Sequence, residues 1–109
     1  RSNEQNAIQI QTMNYTFHPH AEKELEQIEN HYESIREGLG NRFRDEIEAA
    51  ISRILKFPNA CPRLRGSVRR RCRLNSFPYV LIYRLIVTDV RILAVMHDRR
   101  EPDYWTYRT

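Results

Sequence analysis

The chain has 109 residues, of which 40% are hydrophobic, a formal net charge of +4 and two cysteines. This length suits one domain with a single two-layer core, and no apolar run is long enough to cross a bilayer. These features disfavour a membrane protein and a disulfide-stabilised secreted domain, so we expect a cytoplasmic protein with reduced thiols.

The charge of this basic protein is distributed unevenly along the chain. Residues 1–57 carry 7 Lys or Arg against 10 Asp or Glu, whereas residues 58–109 carry 11 basic residues, all arginine, against 4 acidic ones. Arginine holds phosphate or carboxylate well because its planar fork donates two parallel hydrogen bonds and keeps its charge. The second half therefore predicts a surface that binds an anion or an acidic partner, with ion pairing to the acidic first half as the alternative.

Residues 1–12 are polar and unpatterned, and we expect a disordered extension or a remnant of expression there, followed by one domain over residues 13–109. A short strand is predicted at residues 15–17. Pro19 then marks the start of a helix that ends near Gly38, since proline is tolerated in the first turn. Spacings of three and four place apolar residues on one face of this helix, namely Ala21, Leu25, Ile28, Tyr32 and Ile35. Its glutamates are expected to point outward: Glu22, Glu24, Glu26, Glu29 and Glu33.

A glycine pair, Gly38 and Gly40, suits a sharp reversal after this helix. The helical spacing then resumes and continues to the breaker at Pro58, through Phe43, Ile47, Ala50, Ile51 and Ile54. Two amphipathic helices joined by so short a connection pack antiparallel, and their common apolar face needs a partner.

Three segments rich in β-branched and aromatic residues supply that partner, at residues 68–74, 79–87 and 90–97. Thr88 and Asp89 separate the last two segments, which predicts a tight hairpin. We therefore predict an α+β fold with an N-terminal strand, an antiparallel helical hairpin packed on a small twisted antiparallel sheet, and a short C-terminal segment. The expected core includes Leu25, Ile28, Phe43, Ile47, Ile51, Leu81 and Leu93.

This order of elements resembles the ParE/RelE superfamily of type II toxins from about residue 15 to residue 108. The motifs that carry the resemblance are Gly38-Leu-Gly40 with Phe43, residues 70–79 with Tyr83 and Arg84, residues 92–97, and Arg99-Arg100 with Pro102-Asp-Tyr-Trp105. The resemblance implies a growth-inhibiting toxin that forms a hetero-oligomer with a cognate antitoxin, without a cofactor. It implies an antitoxin that wraps over the toxin surface, where the arginine-rich sheet suits an acidic tail.

Two branches of this superfamily differ in their target. RelE-like members are ribosome-dependent endoribonucleases that cut mRNA, whereas characterised ParE-like members poison DNA gyrase and perform no known chemistry. Cutting RNA through its 2′-hydroxyl needs a base, an acid and a phosphate clamp, and in that branch His97, Arg100 and Tyr104 would be the catalytic residues. The alternative is structural, with His97 as a hydrogen-bonding residue at a strand end and Tyr104 in an aromatic lid.

Val80 argues against the ribonuclease branch, because RelE-like enzymes generally carry an arginine at that place in the strand. We therefore prefer the ParE-like, plasmid-stabilisation subgroup acting on gyrase, with the ribonuclease as the alternative. A third interpretation is that the basic sheet only receives an acidic partner. The residues expected to bind the target or an anion are Arg69, Arg70, Arg71, Arg73, Arg84, Arg99 and Trp105. No metal site is expected, since His18 and His20 stand alone near the start.

Overall fold

The structure is a computed structural model that describes residues 13–100 and 104–109. Its elements, in chain order, are β1 (Asn14–Phe17), α1 (Pro19–Ile35), α2 (Leu39–Lys56), β2 (Arg70–Arg73), β3 (Tyr79–Ile86) and β4 (Asp89–His97). The predicted α+β fold, with its N-terminal strand and helical hairpin, is confirmed. The expectation for residues 1–12 lies outside the described part of the chain.

The sheet is mixed, with the strand order β1-β4-β3-β2. β3 pairs antiparallel with both β2 and β4, as the sequence predicts, whereas β1 runs parallel to β4. A parallel pair cannot be joined by a tight turn, and here both helices and two strands separate β1 from β4 in the chain. In this order, β1 forms one edge of the sheet and β2 forms the other.

The α1 helix begins at Pro19, as predicted, after a cap made by His18. The Nδ1 atom of His18 accepts a hydrogen bond from the amide of His20 at 3.1 Å. Ala21 and Leu25 are buried, and the remaining apolar positions pack less completely toward the end of the helix. Ile35 is 59% exposed, so the apolar stripe predicted from the spacing leaves the core in the last turn.

The two helices approach most closely where α2 starts. Gly38 has a φ of 88°, a left-handed conformation that glycine adopts at little cost. A Cβ atom on Gly40 would lie 2.8 Å from the carbonyl oxygen of Glu29. Glu33 accepts hydrogen bonds from the amides of Gly38 and Gly40, each at 3.0 Å. Glu33 therefore caps the first turn of α2 instead of pointing outward, because the tight reversal brings the amides of that turn to it.

Replacement of Gly40 by alanine is expected to lower the free energy of unfolding by about 1–3 kcal/mol, since the added methyl group overlaps the backbone of α1. Urea denaturation of the purified variant measures this change. Asn41→Ala is the matched control, because Asn41 is exposed on the same turn, and it should change the stability by less than about 0.5 kcal/mol. Equal stabilities of the two variants would contradict the close approach of the helices.

The sheet buries apolar side chains on both faces. The face toward the helices contributes to one cluster that includes Leu25, Phe43, Ile47, Ile51, Leu81, Tyr83, Ile92 and Val95. The opposite face carries a second cluster, formed by Val80, Ile82, Leu93, Ala94, Met96 and Trp105. All predicted core residues are buried except Ile28, which is partly buried. Leu93 lies in the second cluster because a bulge in β4 leaves it unpaired, between the partners of Ile82 and Tyr83.

Two strand boundaries differ from the prediction. β2 is shorter than the predicted segment 68–74, because residues 65–68 turn before the strand begins. The hairpin turn lies at Val87 and Thr88, one residue earlier than predicted, and Val87 has a φ of 50°. A β-branched residue rarely adopts this conformation, so the residue type gave no sign that the turn starts there.

Candidate interaction surface on the sheet

The sheet face that points away from the helices carries arginine around the second cluster. β2 contributes two arginines whose Cα partners on β3 belong to that cluster. The β3 arginine pairs directly with the β4 arginine across the hairpin. Because side chains alternate between the two faces of a strand, all four lie on one side. We call this set the arginine face: Arg71, Arg73, Arg84 and Arg91.

Arg73 is already engaged by a carboxylate. Its Nη2 and Nε atoms lie 2.8 and 3.2 Å from the Oδ2 atom of Asp98. The hydrogen bonds from Arg73 hold the pKa of Asp98 below its usual value, so the carboxylate stays charged and competes for Arg73. The half-buried Arg71 side chain has no hydrogen bond or ion pair within residues 13–100 and 104–109. Arg71 is therefore more available to an external anion than Arg73.

Two other predicted anion-binding residues bind the backbone of the chain itself. Arg70 donates to the carbonyl oxygens of Asn59 and Cys61, at 3.2 and 2.7 Å. The guanidinium of Arg69 donates to the carbonyl oxygens of Thr106 and Arg108, at 3.2 and 3.3 Å. These arginines hold the loop before β2 and the C-terminal segment in place. The sequence could not distinguish their role from that of Arg71, because all three belong to one run of arginines.

The C-terminal segment, residues 104–109, packs against this side of the sheet. Trp105 is only 3% exposed and lies in the second cluster with Val80. The guanidinium of Arg69 lies 5.5 Å from the centroid of the Trp105 ring. Trp105, which the sequence predicts to contact the target, has a packing role in the structure. The segment shows no apolar periodicity, so no pattern in the sequence indicated that it completes the core.

Arg108 and Glu24 fasten the C-terminal segment to the first helix and the sheet. The Nη1 and Nη2 atoms of Arg108 lie 3.0 and 3.1 Å from the two carboxylate oxygens of Glu24. Arg108 also donates to the carbonyl oxygen of Leu93 at 3.0 Å, and Glu24 accepts from the amide of Val95 at 3.0 Å. The pairing of β1 with β4 ends at Ile92. Beyond that residue, the side chains of Arg108 and Glu24 take the place of a strand and bond the backbone of β4. Glu24, expected to point outward, is thus a structural residue.

The three candidate catalytic residues lie on different sides of the sheet. The Cα partner of His97 is Tyr79, which packs against the helix-side cluster, and the two rings lie 5.3 Å apart. Tyr104 packs against the opposite cluster, and the Arg100 guanidinium lies 4.0 Å from the centroid of its ring. Burial, followed by the Glu24 carboxylate, raises the pKa of Tyr104 well above its usual value. These positions do not assemble an acid and a base around one phosphate.

The other two residues predicted to bind an anion, Arg99 and Arg84, make few hydrogen bonds within the described residues. Arg99 is exposed, and its amide donates to Nδ1 of His97 at 3.2 Å. Arg84 is partly buried, and its Nε atom has no hydrogen-bond partner in the part of the chain that is described.

Among the residues that the structure describes, no helix is long and apolar enough to cross a membrane, and no group of three potential ligand residues could hold a metal ion.

A helical hairpin on one face of a four-stranded mixed sheet places the chain in a class of small α+β proteins. The structure is similar to that of "Chromosomal ParDE TA system from P. aeruginosa", with a TM-score of 0.70 and 17% identity, over 80% of this chain and 97% of that chain. Residues 15–102 match the family described as ParE toxin of type II toxin-antitoxin system, parDE. The chain therefore belongs to the ParE toxin family. A search of curated proteins finds no match.

Proposed function

We propose that this ParE toxin inhibits growth in the cytoplasm by acting on DNA gyrase, without chemistry of its own. The observation that carries the proposal is the environment of Val80, which is fully buried in the second cluster with Trp105. An RNA-cleaving site would need a cation and an acid–base pair around the phosphate. Here an apolar, close-packed side chain stands where the ribonuclease branch has an arginine, and His97 and Tyr104 lie on opposite faces of the sheet.

Neutralisation by a cognate antitoxin is proposed to use the arginine face. An acidic segment laid across β2 and β3 would meet Arg71 first, since Arg73 is paired with Asp98. Positive charge on one partner and negative charge on the other favours fast and specific association. We propose that Arg71 anchors this segment and that the exposed Arg99 and Arg100 extend the attraction beyond the end of β4.

Strand addition by the same antitoxin is proposed to occur at β1. The other edge strand, β2, is partly covered, because Arg63 bridges Arg70 and the amide of Arg71 donates to the carbonyl of Pro62 at 3.0 Å. The residues of β1 are largely exposed, and an open groove of about 770 Å³ runs beside them, between β1, α1 and Arg44. An exposed edge with unpaired backbone groups accepts an added strand.

Replacement of Arg71 by glutamine is expected to weaken antitoxin affinity or growth arrest severalfold and to change the free energy of unfolding by less than about 1 kcal/mol. Arg70→Gln is the matched control, since it removes the same charge one residue away. That control loses the bonds to Asn59 and Cys61, so it should destabilise the chain more than Arg71→Gln does. Urea denaturation and titration with purified antitoxin measure both effects. An Arg71→Gln variant that binds normally would remove Arg71 from the interface.

The target is tested by inducing the chain without its antitoxin. Inhibited supercoiling by purified gyrase, together with blocked replication and intact mRNA, is the expected result. A chain that is harmless at good expression levels would count against the toxin assignment. Ribosome-dependent mRNA cleavage with unaffected gyrase would instead establish the RelE-like alternative.

A further inference from the structure

The segment before β2 runs antiparallel to it. Arg63 bridges Arg70, and the hydrogen bonds next to this pair join neighbouring residues: the amide of Arg71 to the carbonyl of Pro62 at 3.0 Å, and the amide of Leu64 to the carbonyl of Arg69 at 2.8 Å. Because these bonds flank the bridge, Arg63 and Arg70 form a pair that is not hydrogen-bonded to each other through the backbone. In an antiparallel ladder, the next pair of this kind lies two residues further along each segment.

Continued by this one step, the register places Cys61 opposite Cys72. Residues opposite each other in such a pair have Cα atoms about 4.5 Å apart and side chains on the same face. Cys72 is buried in the helix-side cluster, and Cys61 is partly buried and packs against it. Burial, followed by a hydrogen bond with the Cys61 side chain, raises the pKa of Cys72 to about 12. The register therefore agrees with the packing of both side chains against one cluster.

We propose that Cys61 and Cys72 form an oxidation site that closes an intramolecular disulfide when the protein meets a low-molecular-weight disulfide such as oxidised glutathione. A disulfide needs Cα atoms roughly 4.4–6.8 Å apart, and the register places this pair inside that range. Both thiols are free in the structure, so the site is present in its reduced form.

The reaction proceeds by two thiol–disulfide exchanges. The more exposed Cys61 thiolate attacks one sulfur of the oxidant, forms a mixed disulfide and releases one small thiol. The Cys72 thiol then gives up its proton as its sulfur attacks the Cys61 sulfur, and the second small thiol is released. The protein loses two hydrogens as two protons and two electrons, and the oxidant is reduced to two thiols.

The disulfide would close a short loop that carries much of the basic charge, namely Arg63, Arg65, Arg69, Arg70 and Arg71. Cross-linking reduces the freedom of the unfolded chain between the two cysteines. It would also tie β2, which carries Arg71 and Arg73, to the segment that the Arg70 side chain already holds through Cys61. Oxidation is therefore expected to raise the thermal unfolding temperature and to fix the arginine face in its present geometry.

The test treats the folded, reduced full-length chain with oxidised glutathione at neutral pH. The expected product is a monomer lighter by two hydrogens, with one cross-linked peptide that contains Cys61 and Cys72, and with a higher melting temperature that dithiothreitol reverses. A folded chain that keeps a glutathione adduct on Cys61 beside a free Cys72 would overturn the proposal. Disulfide-linked dimers alone, or two unreacted thiols, would overturn it equally.

Two variants separate the steps. Cys72→Ala removes the second thiol, so it should accumulate a stable glutathione adduct on Cys61. Cys61→Ser should form neither the adduct nor the oxidant-dependent rise in melting temperature, and because Cys61 is only partly buried this variant remains informative if Cys72→Ala folds poorly. A rise in melting temperature of oxidised Cys61→Ser equal to that of the wild type would show that the effect arises elsewhere.

Discussion

Replacement of Trp105 by alanine is expected to cost about 3–5 kcal/mol of folding free energy. Trp105 is the largest side chain of the second cluster and covers Val80, Ile82 and Met96 on the sheet. Tyr104→Phe, one residue earlier, keeps the ring next to Arg100 and loses only the hydroxyl that interacts with Glu24, at a cost of about 1 kcal/mol. Urea denaturation of both variants measures these losses, and a Trp105→Ala variant as stable as Tyr104→Phe would show that the C-terminal segment does not complete the core.

The same two variants separate the functional alternatives. A toxin without chemistry should arrest growth nearly as well with Tyr104→Phe as with tyrosine, because no proton is transferred. A ribonuclease that uses Tyr104 as its acid should lose about 10²- to 10⁴-fold in cleavage rate. Trp105→Ala should lose toxicity in both cases, in proportion to its unfolded fraction. Message cutting that disappears in a fully folded Tyr104→Phe variant would therefore decide for the ribonuclease.

Replacement of Glu24 by alanine is expected to destabilise the fold by about 3–5 kcal/mol, the usual cost of leaving one partner of a buried ion pair without its counterion. The side chain of Arg108 is 6% exposed and that of Glu24 is 18% exposed. Without the carboxylate, the guanidinium stays buried without a counterion, and the amide of Val95 loses its acceptor.

Glu29→Ala is the control for this prediction. Glu29 makes an equally well aligned pair with Arg44, at 2.9 Å, but the Arg44 side chain is 42% exposed, so its loss should cost only about 0–1 kcal/mol. Chemical denaturation of Glu24→Ala and Glu29→Ala measures both losses. Adding Arg108→Ala and the double variant Glu24→Ala with Arg108→Ala completes a cycle that gives the coupling energy of the buried pair. Similar losses for Glu24→Ala and Glu29→Ala would mean that the buried pair does not fasten the C-terminal segment.

The helical hairpin could be predicted from the sequence because its signals are local. Pro19, the glycine pair and the apolar spacing of each helix lie within a few residues of what they specify. The two hairpin-connected strand pairs were predictable for the same reason. The parallel pairing of β1 with β4 joins distant parts of the chain, and the short strand at residues 14–17 carries no mark of its partner.

The candidate site was only partly predictable, because the type of a residue does not determine which partner its side chain binds or which face of the sheet it lies on. Arg70 and Arg71 are adjacent and identical in type, yet one binds carbonyl groups inside the chain and the other faces outward on the sheet. Glu24 was placed on the solvent side of α1 by its helical position. Its actual role depends on Arg108, 84 residues away, and no local pattern reports that contact.

The arginine-only composition of the second half has a consequence for substitution by lysine. Arg69 and Arg70 each donate to two backbone oxygens outside the strands. Arg91 joins the backbone oxygens of Phe17, in β1, and Thr109, in the C-terminal segment. A lysine ammonium is more strongly hydrated and lacks the planar fork that spans two chain segments. An exchange that preserves charge would thus not preserve the connections between segments, so arginine is required at these positions to join separate backbone segments, whatever the protein binds.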